Sequence, residues 1–393
     1  MFFKPDKARK KFLLIGYYGF NNTGDDVLTY IFIDKLNKLF NYPEFIIRSI
    51  NKIYLPEKTN AYFFVSILRR KLWLGIIPLI KILFADAVII GGGGLFHDPK
   101  SKQDPTKGWW HNVFKYYYTK FDWYTLLFKI LKKKIFFLNL SIGSLSIDYN
   151  LNMVHKIMQR GNLATLRDLK SSTYLQGKSI KHEICFDAGI LINDYVQSQP
   201  GKNSDNNILG ISVLDFSRED ICFSGDVDLI YKNLISVLNN FLETDSKNKV
   251  YLFDFHGGEH ELSDTKVNDL IYKQLKENAE RISYNENPVK TAEVLKECNT
   301  FIGTRLHSCI FSYAFQIPFI LINYHEKSAE FANMINLPNE YILSVNDLAD
   351  YTKLDNIFKL LQNTDFSAMN LLPYEDAYNK ANSQFAMIKN ILN

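Results

Sequence analysis

The chain has 393 residues, which is enough for two domains of about 100–200 residues each. Hydrophobic residues make up 47% and charged residues 22%, which excludes a mainly disordered chain, because so much apolar surface is buried on folding. Lysine and arginine exceed aspartate and glutamate by 46 − 42 = 4, and this excess is too small to indicate a nucleic-acid partner.

The four cysteines, Cys185, Cys222, Cys298 and Cys309, are scattered without any CxxC pair. This pattern predicts free thiols in a reducing compartment, since zinc sites and disulfide frameworks need clustered cysteines. No signal-peptide pattern follows the basic start, and charged residues interrupt the most apolar region, residues 61–90. We therefore expect a cytoplasmic protein without a membrane-spanning helix.

In the first half, short apolar runs alternate with longer amphipathic stretches, which is typical of βα units around a parallel sheet. Helices are predicted at residues 25–39, 62–84, 110–131 and 150–159. The predicted strands are residues 12–16, 44–49, 87–90, 135–140, 163–166 and 182–186.

Residues 197–207 are polar and aperiodic, which predicts a linker, and the alternation then resumes. We expect an α/β protein with an N-terminal Rossmann-like domain at 1–196 and a second at 207–374, with a C-terminal helix at 375–393 packing back on the first. Ligands of such folds bind at the carboxyl ends of the strands, so a cleft between the two domains is the expected site. The predicted strands of the second half are residues 208–213, 250–255, 300–303 and 319–323.

The first candidate motif, GYYGFNNTGDD, lies between a predicted strand and a predicted helix. Its glycines, among them Gly24, allow close approach of a ligand, and Asn21, Asn22, Asp25 and Asp26 add polar groups at a helix start. A plain turn in which Asn22 or Asp25 caps the helix is the structural alternative. Two carboxylates would repel a phosphate, so Asp25 and Asp26 suit a sugar hydroxyl or proton acceptance better.

The second motif, VIIGGGGLFHD, runs from a buried strand into four glycines. This run, with Gly92 and Gly93 at its centre, predicts a loop that lines the site, because four glycines are costly in chain entropy unless the backbone must come close to a ligand. For His97 and Asp98, a role in the site and a place on the loop surface are equally open.

The third motif, GTRLHS, places Arg305, Leu306 and His307 at the end of a strand and the start of a helix. Backbone N–H groups and the helix dipole favour an anion there, and arginine can clamp a carboxylate or phosphate. Lys327 follows the next predicted strand, and Arg167 follows a strand of the first domain. Three cations and a histidine predict a small ligand with several negative charges.

The segment HGGEHELSD contains His256, Glu259, His260 and Asp264. Its spacing is not a known zinc pattern, so a loop that borders the predicted anion site, with His256 in its lining, is favoured over a metal site. We expect no metal and no cofactor.

The order and rough spacing of GYYGFNNTGDD, IIGGGGLFHD, LRDLKSS, CFDAG and GTRLHSCIFSYAFQIPFILINYHEK resemble those of the polysaccharide pyruvyl transferases. The resemblance extends from Leu13 to about Lys327, and the RLH segment with its downstream YxxK is its most specific part. One departure is the absence of proline after the Gly-Ile-Gly-type turn, where Ser144 and Leu145 stand.

The resemblance implies a GT-B-like fold and a reaction in which phosphoenolpyruvate, as co-substrate, donates pyruvate as a ketal to a surface glycan or its lipid-linked precursor. It places Arg305, Leu306 and His307 on donor-binding and catalytic positions, and Arg167 and Lys327 on further donor positions. An anion beside His307 would raise its pKa, so this histidine suits the general acid. Asp25 or Asp26 would orient or deprotonate the acceptor.

Residues 109–134 are rich in aromatic side chains and lysines and contain one acid, Asp122. Such a helix can lie on the inner face of an anionic membrane, or it can pack its aromatic face on the sheet with its lysines in solvent.

Two other functions of the chain stay open: a GT-B glycosyltransferase that uses a nucleotide sugar, and a non-catalytic glycan-binding relative.

Overall fold

The computed structural model describes residues 9–64, 83–98, 109–197, 206–218, 221 and 223–393. The described chain divides into two compact units. The first unit comprises the residues up to Phe20, Leu28–Ala188 and Asn379–Asn393, and the second comprises Asn21–Val27 and Gly189–Tyr378. The short segment 21–27 therefore belongs with the C-terminal half of the sequence, which its position in the chain does not suggest.

The first unit is built on a seven-stranded sheet with the order β3-β2-β1-β4-β5-β6-β7, in which all neighbouring strands are parallel. Apolar side chains of the inner strands are fully buried, as the alternation of helices and strands predicts. The strands are β1 (Lys11–Ile15), β2 (Glu44–Arg48), β3 (Asn60–Phe64), β4 (Ala87–Phe96), β5 (Lys134–Ile142), β6 (Leu163–Leu166) and β7 (His182–Ile184).

The helices that connect these strands bury one face each, and α1 and the last helix of the chain also contain residues of the second unit. Tyr118 and Phe121, for example, pack into the core that also holds Ile90 and Phe137 of the sheet. The helices are α1 (Thr23–Phe40), α2 (Trp109–Ile130), α3 (Asp148–Met158) and α4 (Leu169–Thr173).

The second unit contains a six-stranded parallel sheet with the order β10-β9-β8-β11-β12-β13. The chain order reverses between β8 and β11, and ligands of such sheets bind outside the carboxyl ends of the strands at this point. The strands are β8 (Asn207–Ser212), β9 (Asn248–Phe253), β10 (Ala279–Ile282), β11 (Thr300–Gly303), β12 (Phe319–Asn323) and β13 (Ile342–Ser344).

The helices of the second unit follow its strands in the usual βα alternation. Asn287 and Asp350 cap two of them by accepting hydrogen bonds from backbone N–H groups of the first turn. These helices are α5 (Val227–Thr244), α6 (Thr265–Tyr272), α7 (Pro288–Lys296), α8 (Leu306–Ala314), α9 (Glu326–Met334) and α10 (Tyr351–Gln362). The last helix, α11 (Tyr374–Leu392), begins in the second unit, and its residues from Asn379 onward belong to the first.

Two parallel-sheet α/β units of Rossmann type confirm the predicted fold class. Three edge strands, β3, β10 and β13, were not predicted, because they are short, have few fully buried side chains and so lack a strong apolar run. The predicted helix 62–84 is wrong at its start, where β3 (Asn60–Phe64) lies, and most of it falls outside the described residues, as does most of the predicted linker 197–207. Among the helices of the described ranges, none is both long and apolar enough to cross a membrane.

Candidate functional site

The segment Asn21–Val27 is joined to the second unit by backbone hydrogen bonds. The N–H of Thr23 donates to the carbonyl of Phe255 (2.8 Å), and the N–H of Gly257 donates to the carbonyl of Asn21 (2.9 Å). Asn21 adopts a left-handed conformation with φ of 58°, which asparagine tolerates better than most residues. The start of α1 is thereby held against the loop that follows β9.

Asn22 caps α1. Its Oδ1 accepts hydrogen bonds from the N–H groups of Gly24 (3.1 Å) and Asp25 (3.4 Å), which have no partner within the helix. Of the two predicted caps, the structure therefore selects Asn22, and Asp25 lies half-buried in the first turn.

Gly24 lies directly against the imidazole of His307. A Cβ atom at position 24 would lie 1.9 Å from Nδ1 of His307, a separation at which one of the two groups must move. His307 is the second residue of α8, and Gly24 is the second residue of α1. Two predicted motifs, NTGDD and RLH, are thus brought together, and close packing on the histidine ring accounts for the glycine.

Asp26 is a buried carboxyl group with 5% of its surface exposed. Burial raises its pKa to about 7, and the hydrogen bond that it accepts from the hydroxyl of Tyr284 (2.8 Å) partly opposes this shift. Tyr284 follows β10, and no sequence motif singled it out. A carboxyl group with a pKa near neutrality is suited to general base catalysis, because both of its protonation states are populated at working pH.

Arg305 is bound to a buried aspartate. Its Nε donates to the two oxygens of Asp264 at 3.0 and 3.3 Å, and its Nη2 donates to Asp264 and to the carbonyl of Leu262 (2.7 Å). Asp264 is fully buried and also accepts from the N–H of His256 (3.0 Å). The guanidinium group therefore holds the loop after β9 in place, a role that the sequence did not predict.

Ser212, at the carboxyl end of β8, fixes the turn from β11 into α8. Its hydroxyl lies 2.8 Å from that of Ser308, and its carbonyl accepts from the N–H (3.1 Å) and the hydroxyl (2.9 Å) of Thr304. Leu306 and His307 are the first two residues of α8. They consequently lie at the point of the sheet where the chain order reverses.

Lys327 lies in the first turn of α9, which follows the neighbouring strand β12. Nδ1 of His325 accepts from the N–H of Lys327 (3.2 Å) and caps this helix. Since β11 and β12 are parallel neighbours, Lys327 and His307 both lie beyond the carboxyl ends of the strands of the second sheet.

His256 is buried, and its ring lies 4.5 Å from that of His260. Among the residues that the structure describes, no group of three or more histidine, cysteine, aspartate or glutamate side chains is arranged to hold a metal ion. Asp264, one of the three acids of this segment, is bound to Arg305.

The four-glycine run belongs to the first unit, and its structure differs from the loop that the sequence predicts. Instead of a loop, residues 91–94 continue β4, and Gly91 and Gly93 pair with Leu138 and Leu140 of β5. A Cβ at Gly91 would lie 2.0 Å from the carbonyl oxygen of Leu138, and Gly92 and Gly93 have φ of 79° and 115°. Close strand packing and a local irregularity, not a loop, account for these glycines.

His97 and Asp98 follow β4 directly. Asp98 is buried and accepts hydrogen bonds from Ser146 N (2.5 Å), Ile147 N (2.8 Å) and Asn150 Nδ2 (2.7 Å). Its carboxylate therefore anchors the start of α3. His97 is half-buried, and its carbonyl accepts from the hydroxyl of Tyr118 (3.1 Å).

Arg167 forms a buried ion pair with Asp187 in the first unit. The distance from Nη1 to Oδ2 is 2.6 Å, and both side chains are at most 6% exposed. Asp187 lies in the CFDAG segment, so the motif was quoted but the partner it supplies was not recognised. Removal of either residue would leave the other charge buried without a partner, which would destabilise the fold.

A family model for polysaccharide pyruvyl transferase matches residues 22–326. The fold is similar to that of UDP-GlcNAc 2-epimerase from Neisseria meningitidis (TM-score 0.59, 10% identity, 98% and 99% of the two chains) and of MnaA from S. aureus (0.59, 12%, 98% and 97%). A glycosyltransferase from Rickettsia africae is also similar (0.53, 13%, 98% of both). These likenesses show a fold of the GT-B type. The family match covers well over half of the chain, and the chain therefore belongs to the polysaccharide pyruvyl transferase family.

Proposed function

We propose that this chain transfers the pyruvate unit of phosphoenolpyruvate to two hydroxyls of a sugar in a bacterial surface polysaccharide or its lipid-linked precursor. The product is a cyclic pyruvate ketal, and phosphate is released. Family membership supports the reaction class. The observation that supports the residue roles is the contact of His307 with Gly24, two residues before the buried carboxyl group of Asp26.

The reaction needs one acid and one base. A proton is added to the methylene carbon of the donor, which becomes a methyl group, and the positive charge that develops at C2 is attacked by the first hydroxyl. Departure of phosphate regenerates the cation at C2, and the second hydroxyl closes the ring. Of the two hydroxyl protons, one balances the new methyl hydrogen and the other leaves with phosphate.

His307 is assigned as the general acid. It lies in the first turn of α8, at the positive end of the helix dipole, where backbone N–H groups favour the phosphate and carboxylate of the donor. Lys327, in the first turn of α9 at the same sheet edge, would add a cation for the leaving phosphate.

Asp26 is assigned as the general base for the acceptor hydroxyl. Its raised pKa, about 7, allows it to accept a proton near neutral pH, and Tyr284 fixes one of its oxygens. Asp25, in the same turn, would orient the acceptor by hydrogen bonding. Donor contact by Arg305 stays a prediction, and its bond to Asp264 assigns it first to holding the loop that carries His256.

The test is phosphate release from phosphoenolpyruvate, with and without a surface-glycan fraction as acceptor. We expect acceptor-dependent release by the wild type and a loss of about 100-fold or more for His307→Ala, as for removal of a general acid. His182→Ala is the matched control, since His182 lies on β7 of the first unit, where its ring bonds to Ser172 and to the carbonyl of Ile180.

Other outcomes would redirect the assignment. Hydrolysis of a nucleotide sugar without phosphoenolpyruvate turnover would make the chain a glycosyltransferase. Retention of glycan without turnover of either donor would make it a binding protein. Full activity of His307→Ala would remove the histidine from its role as acid.

A further inference from the structure

The helix α2 of the first unit has an apolar stripe on the side that faces away from the core. Its buried face carries Tyr118, Phe121 and Phe128, which contribute to the core of the unit. The opposite side is spaced i, i+4, i+7, which brings its members onto one surface of the helix. The exposed apolar side chains there are Trp123 (65%), Leu127 (39%) and Ile130 (67%).

A fourth exposed apolar side chain lies at the end of the first sheet where α2 ends. Phe84 is 66% exposed, and two residues separate it from the start of β4. The first residue of β4, Ala87, pairs with Lys134, which is separated from the end of α2 by one short turn. Phe84 and the end of α2 therefore lie at the same end of the first sheet, where the amino ends of its strands are. The predicted site residues of this unit lie at the opposite end, beyond the carboxyl ends of the strands.

Lysines surround this end of the helix. Lys129, Lys132 and Lys134 are exposed. The one acid described on α2, Asp122, is bonded to Lys156 (2.9 Å) and Arg160 (2.5 Å) of the α3 region, so its charge is neutralised locally. The surface thus combines large exposed apolar groups with an excess of positive charge.

We propose that this surface binds the face of an anionic lipid bilayer. Aromatic and aliphatic side chains enter the headgroup region while lysines pair with the lipid phosphates, which is the arrangement of interfacial helices. A second copy of the chain is a poorer partner, because the lysines of two like surfaces would repel one another. This inference does not depend on the proposed function. The basic apolar patch comprises Phe84, Trp123, Leu127, Ile130, Lys129, Lys132 and Lys134.

Vesicle flotation tests the patch with the full chain. We expect binding to vesicles that contain 30% phosphatidylglycerol and little binding to vesicles of phosphatidylcholine alone. Lys129→Ala with Lys132→Ala should weaken binding to the anionic vesicles by about 25-fold, taking about fivefold for each lysine. Trp123→Ala should weaken it without changing the preference for anionic lipid.

Matched controls lie on the second unit. Leu127→Ala in the patch should weaken binding as Trp123→Ala does, and Leu360→Ala on α10, where the leucine has the same exposure of 39%, is its control. Lys266→Ala with Lys273→Ala, both exposed around α6, removes the same two charges away from the patch and so controls for the change in net charge. Circular dichroism of each variant checks that it is folded.

Three outcomes would overturn the proposal. One is absence of binding to either vesicle type by the folded wild type. Another is equal loss of binding in the patch variants and the controls. The third is a dimer in light scattering that Trp123→Ala converts to monomer, without any vesicle binding, which would make the patch a contact between copies.

Discussion

The protonation of Asp26 can be tested through stability, without any assay of activity. Burial raises its pKa from an ordinary value of 3.8 to about 7. Between these values the folded chain keeps a proton that the unfolded chain releases. The contribution of Asp26 to the free energy of unfolding therefore falls as the pH rises from about 4 to 7, and it is constant above that range. Asp26→Asn removes this titration and keeps an oxygen that can accept from the hydroxyl of Tyr284.

The size of the effect follows from the shift. A difference of about three pKa units corresponds to about 4 kcal/mol over the whole window, at 1.36 kcal/mol for each unit. Part of this stabilisation is already lost at pH 5, because the unfolded chain releases the proton above the ordinary pKa of an aspartate. Between pH 5 and pH 8, wild type should therefore lose about 3 kcal/mol of stability relative to Asp26→Asn.

Urea unfolding of both proteins at pH 5, 6, 7 and 8 provides the measurement. Pulsed hydrogen exchange of peptides from the second unit assigns the transition to the part of the chain that contains Asp26. Asp365→Asn, at an exposed position of the same unit, should leave the pH dependence of wild type unchanged. If wild type and Asp26→Asn lose stability in parallel between pH 5 and 8, the carboxyl group is ionised throughout, and its assignment as a base with a pKa near neutrality is refuted.

Three further predictions concern neighbouring residues. Tyr284→Phe removes a hydrogen bond that lowers the pKa of Asp26, so the rising limb of the pH–rate profile should shift to higher pH by about one unit. An unchanged position of this limb would show that Asp26 is not the base whose ionisation the profile reports. Gly24→Ala places a Cβ on the ring of His307 and should lower kcat by about 100-fold in steady-state assays, whereas full activity would show that the ring is free to move. Arg167→Met leaves a buried carboxylate without its partner and should lower the free energy of unfolding by about 3–5 kcal/mol in urea titrations; a loss under 1 kcal/mol would mean that the ion pair is solvated.

The fold could be predicted from the sequence where apolar runs are strong. The inner strands β1, β5 and β12 are buried on both faces and read as continuous apolar segments. Edge strands such as β10 (Ala279–Ile282) carry charged side chains and give no such signal. The run at Gly91 was read as a loop because the requirement for glycine comes from the neighbouring strand, which lies over 40 residues further along the chain.

The candidate site was predictable in its motifs and not in its pairings. Glycine in NTGDD and histidine in RLH were each singled out, but their contact depends on how α1 is held to the loop after β9. Arg305 was predicted to bind a donor anion, and the structure shows that a buried aspartate of the chain itself binds its guanidinium group. Tyr284 was missed because a lone tyrosine after an unpredicted strand has no local signature.

The two proposed catalytic groups share one electrostatic setting. Asp26 lies in the first turn of α1 and His307 in the first turn of α8, so both lie near the positive end of a helix. At Asp26, burial raises the pKa, and the hydrogen bond from the hydroxyl of Tyr284 opposes this shift, which leaves the pKa at about 7. On the proposed function, the phosphate and carboxylate of the donor would bind in front of α8, which would place the methylene carbon of phosphoenolpyruvate beside the imidazole that is assigned to protonate it.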